Sequence, residues 1–233
     1  MLETFDITRR WPARRPDAIQ LYSFPTPNGI KVSAMLEETG LDYEPHLVRF
    51  RQGEQKTPDF LALNPNGKIP AIIDPDGPGG VPLPLWESGA ILIYLAEKSG
   101  RFLSTDPALR HQTLQWLTWQ MSGPGPMFGQ FGFFHRLDGA AYEDRRPFER
   151  YRTETLRLLA VLEARLDGRD CIAGDGYSIA DMALWPWIRM LHGRYDGVET
   201  LGLPRFTNID RWFRACSERP ASLRALTIPG END

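Results

Sequence analysis

The sequence predicts an α/β domain with a mixed sheet, followed by an all-helical domain. Alternating strand and helix patterns occupy residues 19–98, and no convincing strand pattern follows Gly100. The chain is 233 residues long and 42% hydrophobic, which suffices for one or two domains with a well-buried core. Because alternating elements imply a sheet that is covered by helices, the α/β class is expected for the first part of the chain.

The first domain is predicted over residues 18–100, in the order β-α-β-α-β-β-α. Helical spacing of apolar residues and breaks at Gly or Pro separate its elements. The predicted strands are 19–24, 43–50, 69–74 and 83–86. The first predicted helix follows the break at 25–29 and stops at Gly40, and the other predicted helices are 57–63 and 87–98. Residues 1–17 precede this domain as an N-terminal arm, in which four arginines surround Trp11 without apolar periodicity. We expect a solvated or surface-packed tail, with a nucleic-acid or partner-binding arm as the alternative.

The second domain is predicted over residues 107–226. A long helical stretch begins at Pro107 and is interrupted at 123–126. A further helix begins near Pro147 and carries a leucine stripe at i, i+4 spacing. Ser178 and Asp181 form a variant of the capping box ahead of another helix, and the last predicted helix covers 206–218, before Pro220.

Composition excludes several classes of function. Lys and Arg number 27 against 30 Asp and Glu, so the net charge of −3 gives no general reason to bind nucleic acid or an acidic membrane surface. No apolar run reaches the length of about 18 residues that a membrane span needs, and the first residues lack the apolar stretch of a secretory signal. Cys171 and Cys216 form no CxxC motif, and the four histidines lack metal-ligand spacing. We therefore expect no metal and a reducing, cytoplasmic location.

Three segments carry a resemblance to a known family. The segments NPNGKIPAI at 64–72, WESGAILIYL at 86–95 and SIAD at 178–181 are similar, in order and spacing, to motifs of the cytosolic glutathione transferases. The resemblance covers residues 19–225 and implies a thioredoxin-like first domain and a homodimer. The segments at 26–29, 114–120, 125–130 and 149–151 resemble the nu class. That class implies glutathione-dependent reduction of disulfides with weak transferase activity.

The resemblance also implies how glutathione is bound. Ser88 stands where a helix begins, and its hydroxyl and the free N–H groups of that turn suit the γ-glutamyl carboxylate. Glu87 would hold the ammonium group. Pro70 is expected to be cis, which would turn the backbone of Ile69 outward to pair with the cysteinyl unit. The alternatives are a plain helix cap at Glu87 and Ser88, and a trans proline that opens an edge strand.

Three further side chains are implied as partners of glutathione carboxylates. Lys68 and Gln55 are candidates for the glycyl carboxylate, and Arg150 of the second domain is a candidate bidentate partner. An exposed surface lysine is the alternative for Lys68, and Gln55 has rivals in the nearby Arg49, Arg51 and Gln52. A surface ion pair with Glu154, four residues on, is the alternative for Arg150.

The sulfur of glutathione is expected at the start of the first helix. Thr26 and Asn28 lie there, where peptide dipoles favour an anion and where a hydroxyl and an amide or backbone N–H are available as donors. Tyr22 and Ser23 are competing donors, and we expect Tyr22 to pack within its strand. No cysteine stands in this turn, so any disulfide chemistry must use thiols that glutathione itself supplies.

The sequence thus predicts an enzyme that reduces small disulfides with glutathione as co-substrate. One alternative is conjugation of glutathione to electrophiles, or reduction of peroxides, with the same thiolate. The other is a non-catalytic glutathione-binding regulatory module. A phenylalanine-rich segment, 131–134, is the best candidate for lining a second-substrate pocket.

Overall fold

The structure is a computed structural model, and it describes residues 2–174 and 176–230. The chain forms two compact units. The first unit contains the residues up to Arg101 together with the segment that begins at Pro220, and the second unit is Phe102–Arg219. Among the described residues, no helix combines the length and apolar character that a membrane crossing requires.

The predicted alternation of strands and helices in the first unit is confirmed. The strands are β1 (Ile19–Ser23), β2 (Tyr43–Leu47), β3 (Ala71–Asp74) and β4 (Leu83–Trp86). The helices of the whole described chain are α1 (Pro27–Thr39), α2 (Pro58–Leu63), α3 (Ser88–Ser99), α4 (Pro107–Ser122), α5 (Pro124–Arg136), α6 (Arg146–Arg165), α7 (Ile179–His192), α8 (Val198–Leu201), α9 (Thr207–Ser217) and α10 (Pro220–Ala225).

The four strands form one mixed sheet in the order β2-β1-β3-β4. The β1 and β2 strands are parallel, whereas β3 is antiparallel to both β1 and β4. Tyr22 of β1 lies opposite Ala71 of β3, and Ala71 lies opposite Trp86 of β4. The end of β1, the start of β3 and the end of β4 therefore meet at one edge of the sheet.

Three strands are shorter than the sequence pattern predicts, and of these β1 ends only one residue early, at Ser23. The β2 strand ends at Leu47, and the 3-10 turn Phe50–Gln52 follows it, ending at Gly53 with a φ of 75°. The β3 strand begins at Ala71, immediately after the cis peptide bond between Ile69 and Pro70. The residues missing from β2 therefore follow its last paired residue, whereas those missing from β3 precede its first paired residue.

The N-terminal arm is not a solvated tail. Leu2 and Ile7 are 6% and 1% exposed and belong to a core cluster with Phe60 of α2. The Trp11 Nε1 atom donates to the Leu47 carbonyl oxygen at 3.1 Å, which ties the arm to β2. Periodicity fails to reveal this packing because separate apolar anchors are set in short 3-10 turns, rather than in a regular helix or strand.

The second unit is helical throughout its regular elements, as predicted. The capping box at the start of α7 is confirmed, since the Ser178 side chain accepts from the Ala180 N–H and the Asp181 carboxylate accepts from the Ser178 N–H at 2.9 Å. Asp181 is fully buried and also accepts from Trp212 Nε1 at 2.9 Å. The break between α4 and α5 is narrower than expected, because Gly123 alone separates them.

The α10 helix belongs to the first unit, which differs from the predicted helical domain over residues 107–226. This helix packs against α1, and Arg224 forms an ion pair with Glu37. Beyond it, the Ser33 hydroxyl donates to the Ile228 carbonyl oxygen at 3.1 Å. The first unit is therefore assembled from two separate stretches of the chain.

Candidate functional site

The first turn of α1 presents donors at the end of β1. Thr26 is the N-cap residue, and its Oγ1 accepts a hydrogen bond from the Gly29 N–H at 3.3 Å. Its hydroxyl proton is therefore still available to a ligand. Asn28 lies within the first turn, where a backbone N–H has no intrahelical acceptor. Both residues are half-buried, so the turn is accessible and carries the positive end of the helix dipole.

The packing beneath this turn separates Thr26 from its two sequence competitors. Ser23 is fully buried, and its Oγ lies 3.5 Å from the Phe24 carbonyl oxygen. The turn sits so close to the end of β1 that a Cβ at Gly29 would lie 2.0 Å from that same carbonyl oxygen. Tyr22 is also fully buried within the core cluster, as predicted, and burial raises the pKa of its hydroxyl. Neither Ser23 nor Tyr22 is exposed to a ligand.

Glu87 and Ser88 form the tight junction between β4 and α3. Glu87 is exposed and adopts a φ of 72°, a strained conformation for a residue with a side chain. Ser88 is 3% exposed and begins α3. The Lys31 Nζ of α1 donates to Ser88 Oγ at 3.4 Å. Lys31 is fully buried, which lowers its pKa to about 7, while the charge of Glu87 acts in the opposite direction.

The loop between α2 and β3 is built as the sequence predicts. The Ile69–Pro70 bond is cis, which confirms that expectation. Asn64 is buried, and its Nδ2 donates to the Lys68 carbonyl oxygen at 2.6 Å. Ile69 is half-buried and Lys68 is exposed. The Asn64 side chain thereby fixes the backbone immediately before the cis bond.

Gln55 lies beside this loop, in the 3-10 turn Glu54–Lys56. The two segments meet at Gly67, whose φ is 60° and where a Cβ would lie 3.1 Å from the Gln55 carbonyl oxygen. Gln55 is half-buried, and its Oε1 has no hydrogen-bond partner among the residues that the structure describes. Its neighbour Glu54 is buried, and a Glu54 carboxylate oxygen accepts from the Arg49 N–H at 2.6 Å.

The sheet register brings most of the candidate residues together. Thr26 and Asn28 follow β1, Pro70 precedes β3, and Ser88 follows β4, and these three strand ends share one edge of the sheet. The contact of Lys31 with Ser88 joins the second turn of α1 to the first turn of α3 directly. The edge thus offers hydroxyls, the N–H groups of two helix starts and the backbone of Ile69 just before β3, which suit an anionic peptide.

Arg150 belongs to the second unit, where it is exposed on α6. It lines an open cavity of about 840 Å³, together with Ser122, Gly123, Met127, Arg146, Glu149, Tyr151, Thr153 and Glu154. Glu154 forms an ion pair with Arg157 at 2.6 Å, and the charge of Arg150 also contributes to lowering the pKa of Glu154, so the alternative role for Arg150 stays open. The phenylalanine-rich segment does not line this cavity, since Phe131 is fully buried and stacks on His135.

The two cysteines are poor nucleophiles in this environment. Burial, with the nearby carboxylate of Asp181, raises the pKa of Cys171 to about 11. Burial likewise raises the pKa of Cys216, which is 3% exposed. Both thiols are free. Within residues 2–174 and 176–230, no group of three or more His, Cys, Asp or Glu side chains is arranged to hold a metal ion.

Two residues of this site were missed by sequence reasoning. Lys31 is a lysine within an otherwise apolar stretch of α1, and that interruption was the available signal of a buried functional charge. Asn64 stood within a quoted motif, but its bond to the Lys68 backbone depends on a turn that periodicity does not describe.

Comparison with known proteins agrees with this architecture. The model of the glutathione S-transferase N-terminal domain matches residues 17–97, and the model of the corresponding C-terminal domain matches residues 127–220. The chain therefore belongs to the glutathione S-transferase family, with a thioredoxin-like domain followed by a helical domain.

One curated relative and two solved structures are similar to this chain over most of its length. Disulfide-bond oxidoreductase YfcG of Escherichia coli is 44% identical over 209 residues, which cover 89% of this chain and 94% of the relative. A glutathione transferase structure from Pseudomonas putida is 57% identical with a TM-score of 0.97, covers 98% of this chain and 99% of that one, and has one glutathione disulfide bound per subunit. A structure from Burkholderia graminis, also 57% identical with a TM-score of 0.97, covers 99% and 96% and has two glutathione molecules per subunit.

Proposed function

We propose that this protein reduces small disulfides with thiols that glutathione supplies, and that it has weaker glutathione transferase activity. The observation that carries the proposal is the turn at Thr26. It offers an anion site with a free hydroxyl proton but contains no cysteine, while the thiols of Cys171 and Cys216 have raised pKa values. A disulfide exchange at this site therefore needs an external thiol.

The γ-glutamyl end of glutathione binds at the start of α3. The Ser88 hydroxyl and the first N–H groups of the helix donate hydrogen bonds to the carboxylate, and Glu87 holds the ammonium group. Lys31 adds a buried positive charge beneath Ser88 when it is protonated. The exposure of Glu87 and its positive φ support this role, because they direct a carboxylate to the surface at a fixed position.

The rest of the tripeptide binds along the loop before β3. The backbone N–H and C=O of Ile69, beside the cis Pro70, pair with the cysteinyl unit in the manner of an added strand. Lys68 and Gln55 bind the glycyl carboxylate, which is supported by the close approach of their two loops at Gly67. Arg150 of the second unit binds a carboxylate of glutathione or of the disulfide.

The reaction is two successive thiol–disulfide exchanges. The thiolate of one glutathione, held by Thr26 and Asn28, attacks a substrate sulfur and releases one substrate thiol, which leaves a mixed disulfide. A second glutathione thiolate attacks the glutathione sulfur of that mixed disulfide and releases the other substrate thiol. Two glutathiones are oxidised to glutathione disulfide, and one substrate disulfide is reduced to two thiols. Bound glutathione disulfide and paired glutathiones in the relatives support this stoichiometry.

The test compares turnover of 2-hydroxyethyl disulfide with turnover of a chloronitrobenzene and of a hydroperoxide, all with glutathione. We expect the disulfide to be the fastest substrate, and the rate to persist when Cys171 and Cys216 are both replaced. Faster conjugation or peroxide reduction would favour a transferase or a peroxidase. A rise in melting temperature with glutathione, but no turnover, would indicate a binding module.

We further propose that the protein is a cytoplasmic homodimer of the nu class. The 44% identity to YfcG and the motif at 26–29 support the class assignment. Sedimentation across a range of concentrations tests the dimer, and fractionation of the source cells tests the location. A monomer at all concentrations would contradict the dimer.

A further inference from the structure

The N-terminal arm lies outside the family match, which begins at residue 17, yet it is built into the first unit. Trp11 donates to the Leu47 carbonyl oxygen and meets the rings of Tyr22 and Phe60 edge-on, at centroid distances of 6.1 and 6.4 Å. Since Phe60 belongs to α2, the arm is fixed against the helix that precedes the cis-proline loop.

A second anchor lies at the other end of the arm. Glu44 of β2 has a side chain that is 2% exposed, and it accepts from the Arg14 N–H and Nε and from the Arg15 N–H at 2.7–3.1 Å. Burial works to raise the pKa of Glu44, but the bonds from Arg14 and Arg15 lower it overall. The arm is thus held at Trp11 and again at Arg14 and Arg15, so these residues have defined positions.

Arg10 directly precedes Trp11, and its side chain contacts Glu54, the neighbour of Gln55 in the candidate glutathione site. Its Nη2 lies 2.9 Å from Glu54 Oε1, and the guanidinium carbon lies 5.2 Å from the ring centroid of Trp11. The other Glu54 oxygen accepts from the Arg49 N–H at 2.6 Å. Glu54 is therefore held from two sides, by the arm and by the loop after β2, and the residue that follows it is Gln55.

We propose that Arg10, acting through Glu54, is a positioning residue that fixes Gln55 for the glycyl carboxylate of glutathione. The inference deepens the proposed function and rests on it, since Gln55 is assigned to glutathione there. Without Arg10, the buried Glu54 carboxylate has lost its counter-ion and moves toward water. Gln55 moves with it, whereas Ser88 and Thr26 belong to other segments and keep their positions.

The experiment compares the affinities of Arg10→Met for glutathione and for γ-glutamylcysteine, which lacks the glycyl unit, by calorimetry. We expect glutathione to bind about fivefold more weakly, the factor that corresponds to about 1 kcal/mol for a partly buried pair. The affinity for γ-glutamylcysteine is unchanged. Arg10→Lys restores the preference, because a single contact to Glu54 needs only a positive charge. Glu54→Gln gives the same selective loss of affinity for glutathione, and it replaces Arg10→Met as the test variant if Arg10→Met does not fold.

Arg9→Met is the matched control, because Arg9 pairs with Asp6 on the exposed side of the arm. It leaves both affinities unchanged. Equal weakening of the two ligands in Arg10→Met would overturn the proposal, since the arm would then support the whole unit rather than Gln55. Unchanged binding of both ligands would also overturn it. Failure of the wild-type protein to bind glutathione would instead refute the proposed function, and this inference with it.

Discussion

Replacing Thr26 with Val tests whether its hydroxyl holds the glutathione sulfur. Valine preserves the shape of the side chain but removes the Oγ1 atom that caps α1 through the Gly29 N–H. The substitution has two separable costs. Loss of the cap destabilises the fold by about 1 kcal/mol, and loss of a donor to an anion weakens the bound thiolate by about 1.5–3 kcal/mol.

The second cost is measured as a pKa. Because one pKa unit corresponds to about 1.36 kcal/mol, the pKa of the bound glutathione thiol rises by about one to two units. At a pH below the pKa of the bound thiol in both wild type and Thr26→Val, this rise lowers the thiolate fraction about 10- to 100-fold. A thiolate of higher pKa is the stronger nucleophile, with a Brønsted coefficient of about 0.45. The net loss in the rate of disulfide reduction is therefore about four- to twelvefold.

The assay is titration of the bound thiol by its thiolate ultraviolet absorbance, with rates measured in parallel. Thr26→Ser is the control, because it retains both the cap and the donor. Ser23→Ala is a second control, because the buried Ser23 hydroxyl lies against the Phe24 carbonyl oxygen instead of facing a ligand. An unchanged thiol pKa in Thr26→Val, in a protein that still binds glutathione, would refute the assignment of this hydroxyl to the sulfur.

Three further predictions follow from the site and its support. Joint replacement of Cys171 with Ser and Cys216 with Ala leaves disulfide reduction within about twofold of wild type, because neither thiol forms a thiolate near neutral pH; loss of turnover would contradict a glutathione-only mechanism. Affinity for S-methylglutathione falls as the pH rises through about 7, because Lys31 beneath Ser88 loses its charge there. The Lys31→Met variant loses this pH dependence. A wild-type affinity that does not change with pH would show that Lys31 has no part in binding the ligand. Asp181→Ala leaves three buried N–H donors unpaired and destabilises the fold by about 3–6 kcal/mol in urea unfolding, whereas a loss below about 1 kcal/mol would show that those donors find other partners.

Local signals were sufficient to predict much of the first unit. Breaks at Pro and Gly marked the ends of α1, and Leu83–Trp86 was predicted with the bounds that the structure has. The cis bond at Pro70 followed only from the resemblance, since the dipeptide itself gives no such signal. Side-chain partners such as Lys31 and Ser88 are 57 residues apart, and no local pattern encodes that contact.

The differences between the predicted and the observed positions of α10 and of Phe131 have equally specific causes. Pro220 was interpreted as the residue that terminates the last helix, but proline also occupies first-turn positions, and α10 begins there. The segment 131–134 is predicted to line a pocket because glycines surround it, and of its phenylalanines Phe131 is fully buried. Gly132 instead provides room for Tyr195, whose ring would lie 2.3 Å from a Cβ at that position. Both outcomes depend on which residues meet across the fold, which composition does not specify.

The position of α10 constrains how the protein is made. This helix covers α1, yet the ribosome synthesises it only after the whole helical unit has been translated. A nascent chain that ends near Arg101 has every strand of the sheet but leaves one face of α1 bare. The first unit can therefore complete its packing only after the second unit has been translated, and a fragment that ends near Arg101 lacks the helix that covers α1.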